Sequence, residues 1–559
     1  MLGFATPTAI YLWFLHHYTV NAIWWDQWSD AVLIRDSYDG RLSLAALWAQ
    51  HNENRIFFPN LLVLAMSRLD SFNVTIEEYV SAVLLLASVA LIIGAHKRRS
   101  PGQPWLSYCP IVILMLSVVQ AQNILWGFQL AWYVVLVTLC GTLFLLDRKT
   151  LSSFALLSGL VLAVIGSFSS LQGLLIWVAG LILLFYRRRS PLIMVLWSAV
   201  GLVTTVVYFY HLNSVTPANQ TAVHLPSQAI RYFFESIGDV LGMPLATNDI
   251  GAYIVAALGC LIVLLALLAV WSGGRHRDNE SGAPLGVALI VFGLLFAMAT
   301  TYGRARSWPQ VAVAGSRYTT FDLLILVGTY LVYVSDPRGS RISHFRSSAR
   351  RGVGVVLGGV ITLVAVFGLV NGIRWARADQ QALIYSAAVT VDANRIPGPV
   401  LQRSLYLPAS VQQLRQAIDA LAVHRLTFFS DPQAVQQYRM EALELARSGA
   451  FRYIPPPPTI PTQILAPKGG AVLSNRVVLL ASAEGDLHPV KVDFAATGGS
   501  SGERVIATGK ETQFGWIASW ETTNSPNGAV QIESVVTSAS GRITRSRPLN
   551  ITIRNEPAG

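Results

Sequence analysis

From residue 2 to residue 370 the sequence returns repeatedly to uninterrupted apolar runs separated by short polar loops. Crossing a hydrocarbon core of ~30 Å takes about 17 to 25 apolar residues in a helix, because each residue advances the axis by ~1.5 Å. Runs near that length lie at 2–20, 76–95, 105–119, 130–146, 151–165, 171–186, 191–210, 250–271, 285–301, 318–334 and 353–370. They predict about eleven transmembrane helices. The run at 56–69 is too short and contains Pro59 and Asn60, so it reads as an interfacial or re-entrant helix. A soluble surface needs more charge than this chain carries: 13% of residues are charged, 53% are hydrophobic and the mean hydropathy is +0.48. The expected fold class is an α-helical polytopic membrane protein.

The formal net charge of +11 sits in short clusters between the apolar runs, without the stacking aromatics or motifs of a nucleic-acid binder, so no nucleic-acid partner is expected. Threading the runs back and forth puts Lys97-Arg98-Arg99, Arg148-Lys149, Arg187-Arg188-Arg189, Arg275 with Arg277, and the basic segment 338–351 on one side. The positive-inside rule makes that side cytoplasmic, with the N-terminus on it. No Lys or Arg precedes the first run, which lacks a basic n-region and a small-residue cleavage site. It is therefore expected to be a span and not a signal peptide. Cys109, Cys140 and Cys260 lie in or beside apolar runs without metal-ligand spacing, so neither a disulfide framework nor a structural metal is implied.

Residues 1–371 form the expected membrane domain, followed by an extracytoplasmic helical connector at 372–454, in which 411–421 shows helical spacing. Residues 455–461 begin with four prolines and form a stiff linker. From 462 to 559 short alternating runs separated by turn residues predict an all-β, immunoglobulin-like sandwich without the antibody-type disulfide. No internal repeat is evident, nor the matched pair of interrupted spans of inverted-repeat transporters.

The alternation places the loops of unusual polarity on the outer side. The first contains Trp24-Trp25-Asp26-Gln27-Trp28-Ser29-Asp30, and on a helix continuing from the first span Asp26 and Asp30 would share a face. Two nearby carboxylates can divide roles, one ionised as a base and the other raised or sharing a cation. The three tryptophans read more simply as interfacial anchors, and Arg35, Asp36, Asp39 and Arg41 as a charged surface helix. His51-Asn52-Glu53-Asn54-Arg55 precedes a segment entering the interface, so its polar groups need partners or a function. His51 and Glu53 have too weak a spacing to define a metal site, and Arg55 suits either a phosphate or a snorkelling role. In Gln122-Asn123-Ile124-Leu125-Trp126-Gly127-Phe128-Gln129, amides beside an aromatic face suit a sugar ring, and equally a buried turn. Arg304, Arg306 and Arg317-Tyr318 put arginines on the outer side, against the usual bias. An anionic ligand, a first-loop carboxylate or lipid headgroups would each explain them. His211, His224, Arg231 and Glu235 carry no comparable signal.

Together, the acidic tryptophan-rich stretch after span one, His-Asn-Glu-Asn-Arg, Gln-Asn-Ile-Leu-Trp-Gly-Phe-Gln, and the late Gly-Arg and Ser-Arg-Tyr resemble bacterial GT-C-type integral membrane glycosyltransferases over residues 1–370. The resemblance is one of pattern and topology. It implies transfer of a sugar from a polyprenyl-phosphate donor to an envelope glycan, lipid or protein acceptor on the non-cytoplasmic face of the bacterial inner membrane. It also implies a first-loop Asp as base, carried over to Asp26 with Asp30 in reserve, and a single displacement that inverts the anomeric centre. Arg304, Arg306, Arg317 and Tyr318 would then hold the departing phosphate. His51, Glu53, Arg55, Gln122, Asn123, Trp126 and Gln129 would line the substrate site. The Asp26/Asp30 spacing departs from an adjacent acidic pair, which leaves a divalent cation open. Two other classes fit the same spans: a transporter or flippase of lipid-linked glycans, and a noncatalytic envelope receptor or assembly protein.

Overall fold

The computed structural model of the chain describes residues 2–213, 226–242, 249–275, 281–305, 315–335, 344–405, 410–453, 462–483, 489–498, 501–512, 515–538, 541 and 543–555. Residues 1–453 form one compact unit and 454–559 a second.

The first unit is helical. Among the described residues, seven of its helices are long and apolar enough to cross a membrane: Val74–Arg99, Trp105–Ile124, Gly127–Leu146, Pro191–Phe209, Ile250–Ser272, Ala283–Arg304 and Arg351–Val391. The other four expected spans are helical but shorter, at Leu2–Tyr18, Ser153–Ser167, Leu171–Tyr186 and Thr319–Ser335. The 56–69 run forms the 13-residue helix Phe57–Leu69. Pro59 does not interrupt it, because it lies in the first turn, where a helix has no N–H to lose. Trp105–Ile124 is broken near its middle: the α-helix Cys109–Met115 gives way at Leu116 and Ser117 to the 3-10 turn Val118–Gln120 and the short helix Ala121–Ile124.

Two ends of this bundle can be distinguished by charge. At one end three of the expected basic loops meet: Asp147 accepts from Arg187 Nε at 2.5 Å, and Arg99 Nε donates to the Asp147 carbonyl at 2.7 Å. At the other end the first loop meets the late arginines. Three of the five expected basic clusters therefore lie together at one end of the bundle.

The last long helix does not stop near residue 370. It runs unbroken as His344–Val391, 48 residues, an axis of about 72 Å at ~1.5 Å per residue. The helix thus passes straight through the expected 371/372 boundary. Its extension grips the first loop: Ser386 Oγ donates to the Ile23 carbonyl at 2.9 Å and Gln380 Nε2 to the His17 carbonyl at 3.1 Å. Leu383, Ala387, Ala388 and Val391 share one buried cluster with Val20, Ala22, Trp24 and Trp126. The connector helices Gly398–Leu405 and Val411–Val423 cover the helix Trp28–Tyr38, burying Trp28, Ala31 and Ile34 beneath Leu401, Leu414 and Ile418.

The second unit is a β structure whose start, including the expected proline linker at 455–461, lies outside the described residues. Numbering strands from a small hairpin in the first unit, β1 (Gln50–His51) and β2 (Asn54–Arg55), the second unit has β3 (Thr462–Ala466), β4 (Val472–Leu473), β5 (Arg476–Ala483), β6 (Pro489–Gly498), β7 (Ser501–Thr508), β8 (Lys510–Thr512), β9 (Gly515–Glu521), β10 (Gly528–Ser538), β11 (Ile543–Arg545) and β12 (Leu549–Ile553). One sheet has the order β3-β5-β9-β8, the other β4-β12-β10-β6-β7, with β11 also on β10. Period-two alternation supplies their shared core: Leu479, Ala481 and Trp520 from one sheet meet Phe494, Ile532 and Ile551 from the other.

Gly127 has a packing reason in the first unit. A Cβ there would overlap Glu77 Oε2 and Gln27 Nε2, which are joined by a buried hydrogen bond of 2.7 Å. Gly127→Ala is expected to lower the thermal midpoint of the purified chain, overpacking costing about 1–3 kcal/mol. An unchanged melting curve would show that the Gln27–Glu77 pair yields freely.

Candidate functional site

The first loop is shaped by aromatic packing. The helix Leu2–Tyr18 ends well before the acidic stretch, so Asp26 and Asp30 do not share one continuous helix as expected: Asp26 lies in the 3-10 turn Trp25–Gln27, and Asp30 opens the helix Trp28–Tyr38. Trp24 and Trp25 stack with centroids 4.4 Å apart, and Trp126 sits edge-on to both at 5.7 Å. The Trp126 indole N–H donates to the Trp24 carbonyl at 3.1 Å. Trp24, Trp28 and Trp126 are buried and build the loop's core, so Trp24 and Trp28 do not form the interfacial belt expected of them. Trp25 has φ +47°, a left-handed backbone that a bulky side chain adopts only under constraint. The residue so constrained immediately precedes Asp26.

His51-Asn52-Glu53-Asn54-Arg55 folds as the hairpin β1–β2, with His51 opposite Asn54 and Gln50 opposite Arg55. The two-residue turn needs positive φ, which Asn52 supplies at +49°, a conformation asparagine tolerates. Arg55 anchors the hairpin. Its guanidinium donates to the carbonyls of Trp48, Tyr208 and Tyr210 at 2.8, 2.8 and 2.6 Å, and the residue is 3% exposed. The Tyr208 hydroxyl accepts from the Arg55 N–H and donates to the Glu53 carbonyl, both at 3.1 Å. Arg55 is thus committed to backbone carbonyls, a structural role in place of the ligand contact expected.

The fixed hairpin presents two side chains to the opposite wall. His51 Nε2 lies 3.6 Å from Asp26 Oδ2, and Glu53 pairs with Arg304. Arg304, Glu53 and Asp26 are each about a third or more exposed, so this cluster is open to solvent. Arg317 contributes to the potential at Asp26. The Gln122–Gln129 segment positions it: Asn123 Nδ2 donates to the Arg317 carbonyl at 2.6 Å and to Thr320 Oγ1 at 2.7 Å, while the Gln122 N–H donates to Ser316 Oγ at 3.2 Å. Asn123, Trp126 and Gln129 are buried. These side chains hold the walls of the site, and their expected direct contact with sugar would require them to leave that packing. Tyr318 is also buried, with its ring near Trp132 and Phe296. Arg306 lies outside the described residues.

The two carboxylates have opposite electrostatics. Burial pushes Asp26 up, but the adjacent His51, followed by the fields of Arg317 and Arg304, outweighs it and holds the carboxyl below its ordinary value. Asp30 is 3% exposed; burial pushes it up to about 7, opposed by His51 and reinforced by Asp26. Asp26 is therefore an ionised, accessible acceptor, and Asp30 a buried group that holds its proton to a much higher pH than Asp26. Among the described residues no group of three or more His, Cys, Asp or Glu side chains is arranged to hold a metal ion.

Several contributors carried no sequence signal. Tyr208 lies in an apolar run, Ser386 in the extension of the last helix, and the Gln27–Glu77 pair joins residues fifty positions apart.

The fold and site define a helical protein with seven helices suited to cross a membrane, a charged site at one end of the bundle and a C-terminal β unit. No family model matches the chain, and no curated protein matches it. Among solved structures, the crystal structure of the S-layer protein rSbsC(31-844) aligns at 10% identity and a TM-score of 0.13, covering 86% of this chain and 46% of that one. The chain thus spans under half the length of that protein, and a superposition this poor relates neither fold nor function.

Two outcomes are expected. The raised Asp30 carboxyl gives stability that is fully present at pH values below its unfolded range and lost as pH rises through about 7. Asp30→Asn should therefore melt above the parent at about pH 8 and near it at about pH 4; parallel pH profiles would place Asp30 in contact with water. Glu53→Gln should release Arg304 and tighten binding of inorganic phosphate, measured by calorimetry, by roughly two- to fivefold, the worth of an exposed ion pair. Weaker binding by that variant would show that Glu53 orients Arg304 for the anion.

Proposed function

We propose that the chain is a multi-pass inner-membrane glycosyltransferase of the GT-C type, using a polyprenyl-phosphate sugar as donor and an envelope glycan, lipid or protein as acceptor. The observation that supports this most is the juxtaposition of an ionised, accessible Asp26 beside His51 with two arginines remote in sequence, Arg304 and Arg317. Sugar transfer from a lipid phosphate requires both charges: an anion to take a proton from the acceptor and cations to receive the leaving phosphate.

In this reading all eleven apolar helices, the seven long ones and the four shorter, span the membrane, with the basic loops cytoplasmic and Asp26 outside. The acceptor hydroxyl oxygen attacks the anomeric carbon as its proton passes to Asp26. The bond from that carbon to the phosphate oxygen breaks, and its electron pair leaves with the polyprenyl phosphate. Arg317, and Arg304 once freed from Glu53, stabilise the charge that accumulates there. His51 beside Asp26 receives the proton or keeps the carboxylate oriented. One displacement inverts the anomeric configuration. Asp30, buried away from the open cluster around Asp26, supports the loop and does not act as the base. The C-terminal unit is read as an immunoglobulin-like domain on the outer face.

Asp26→Asn is isosteric and removes the base. With a radiolabelled polyprenyl-phosphate sugar and membranes supplying acceptor, its transfer rate should fall by about 10²- to 10⁴-fold, while Asp30→Asn should retain most activity. Equal rates for the parent and Asp26→Asn would remove Asp26 from the mechanism. Movement of lipid-linked sugar without a new glycosidic bond would replace the enzyme with a flippase.

A further inference from the structure

The end of the bundle opposite Asp26 holds a second concentration of charge that the proposed reaction does not use. Three segments bring cations to the C-terminal end of the helix Gly127–Leu146. Arg98 Nη2 donates to the Phe144 carbonyl at 2.6 Å, Arg99 Nε to the Asp147 carbonyl at 2.7 Å, and Arg189 Nη1 to the Lys149 carbonyl at 3.2 Å. Residues 97–99, 148–149 and 187–189 bring eight positive charges to this junction. Asp147, fully buried and paired with Arg187 and Arg99, is the carboxylate among them.

That leaves Lys97, Arg98, Arg148, Lys149, Arg188 and Arg189 with no carboxylate partner among the described residues. Helix-end carbonyls favour cations, but they carry only partial charge and do not neutralise this excess. In addition, the Nε atoms of Arg98, Arg148 and Arg189 are buried without a hydrogen-bond acceptor, and buried donors of this kind are rarely left unmade. Lys149 and Arg188 are exposed.

The surroundings are apolar. Phe154, Phe185 and Leu192, a few residues from the cations along their own helices, are exposed on the bundle surface. Lys97 Nζ lies 5.4 Å above the Trp105 ring, and Trp105 is exposed as well, the combination of ammonium and indole that settles at headgroup level. A ligand for this junction therefore needs anionic oxygens for the guanidinium groups and hydrocarbon for the adjoining faces.

We propose that the junction binds an anionic phospholipid of the adjacent leaflet, one whose headgroup carries more than one phosphate charge, with its acyl chains lying against Phe154, Phe185 and Leu192. Guanidinium groups pair with phosphate through charge-assisted hydrogen bonds, and a dianionic headgroup meets several of them at once. A zwitterionic lipid supplies the hydrocarbon without the net charge; free phosphate supplies the charge without the hydrocarbon. The assignment rests on the helices being membrane spans and is independent of any transferase activity.

The test uses the full chain purified in a neutral detergent, with unfolding followed by tryptophan fluorescence as diphosphatidylglycerol, phosphatidylcholine or sodium pyrophosphate is titrated in. Diphosphatidylglycerol should raise the parent's thermal midpoint in a saturable manner, because a ligand that binds the native state stabilises it by mass action, and phosphatidylcholine should not. The double variant Lys149→Gln/Arg188→Asn removes two exposed charges, and asparagine suits the left-handed backbone at position 188, φ +50°. It should bind diphosphatidylglycerol more weakly by on the order of tenfold. Unaltered affinity in that variant, an equal shift from phosphatidylcholine, or a full shift from pyrophosphate alone would overturn the proposal; the last would mark a site for soluble anions. If the variant without lipid melts below the parent, the parent's lipid affinity is measured against ionic strength. A decline with salt supports the site, and salt independence overturns it.

Discussion

The hydrogen bond from the Trp126 indole to the Trp24 carbonyl, together with the stack of Trp24 on Trp25, is the contact on which the charged end of the bundle depends. It joins the loop after the first helix to the break between two later ones. Aromatic rings contribute large buried area and an orientation preference, so a three-ring cluster can hold a backbone in a conformation that local energetics disfavours. Trp25 is that residue, and the turn it enforces sends Asp26 toward solvent and His51 while Asp30 goes into the core. The long helix His344–Val391 closes the cluster from the other side through Leu383, Ala387 and Ala388. A single packing arrangement therefore shifts the pKa values of two carboxylates only four residues apart in opposite directions.

Charge is organised at two scales. Within the candidate site, Asp26 lies near His51, Arg304 and Arg317, and Glu53 pairs with Arg304. Across the bundle, the segments that carry the basic clusters collect around buried Asp147 at the far end. Neither arrangement is a collection of isolated surface pairs of the kind that contribute little. Each draws its partners from segments remote in sequence, so each reports tertiary packing.

The succession of apolar helices was legible from the sequence because hydrophobic length is a local property. Residues 130–146 and the helix Gly127–Leu146 nearly coincide for that reason. The site was legible only as a set of residue types. Arg55 looked like a phosphate ligand, yet three carbonyls from distant segments take its guanidinium. Asn123 looked like a sugar contact, and its amide holds the Arg317 backbone. The tryptophans near the end of an apolar run looked like interfacial anchors, and burial gives them to the core. Side-chain amides, guanidinium groups and indoles serve backbone and ligand equally well, so type and spacing could not choose between those uses.

What the sequence determined by itself was the succession of apolar helices and the change to a β pattern near residue 462, both of which follow from periodicity within short windows. What only the tertiary structure decided was that the last long helix continues past residue 370 to hold the first loop, that Asp26 and not Asp30 is ionised and accessible, and that Arg304 meets Glu53. The physical reason is that a pKa and an ion pair are set by burial and by groups brought close through folding, and no window of sequence contains those distances.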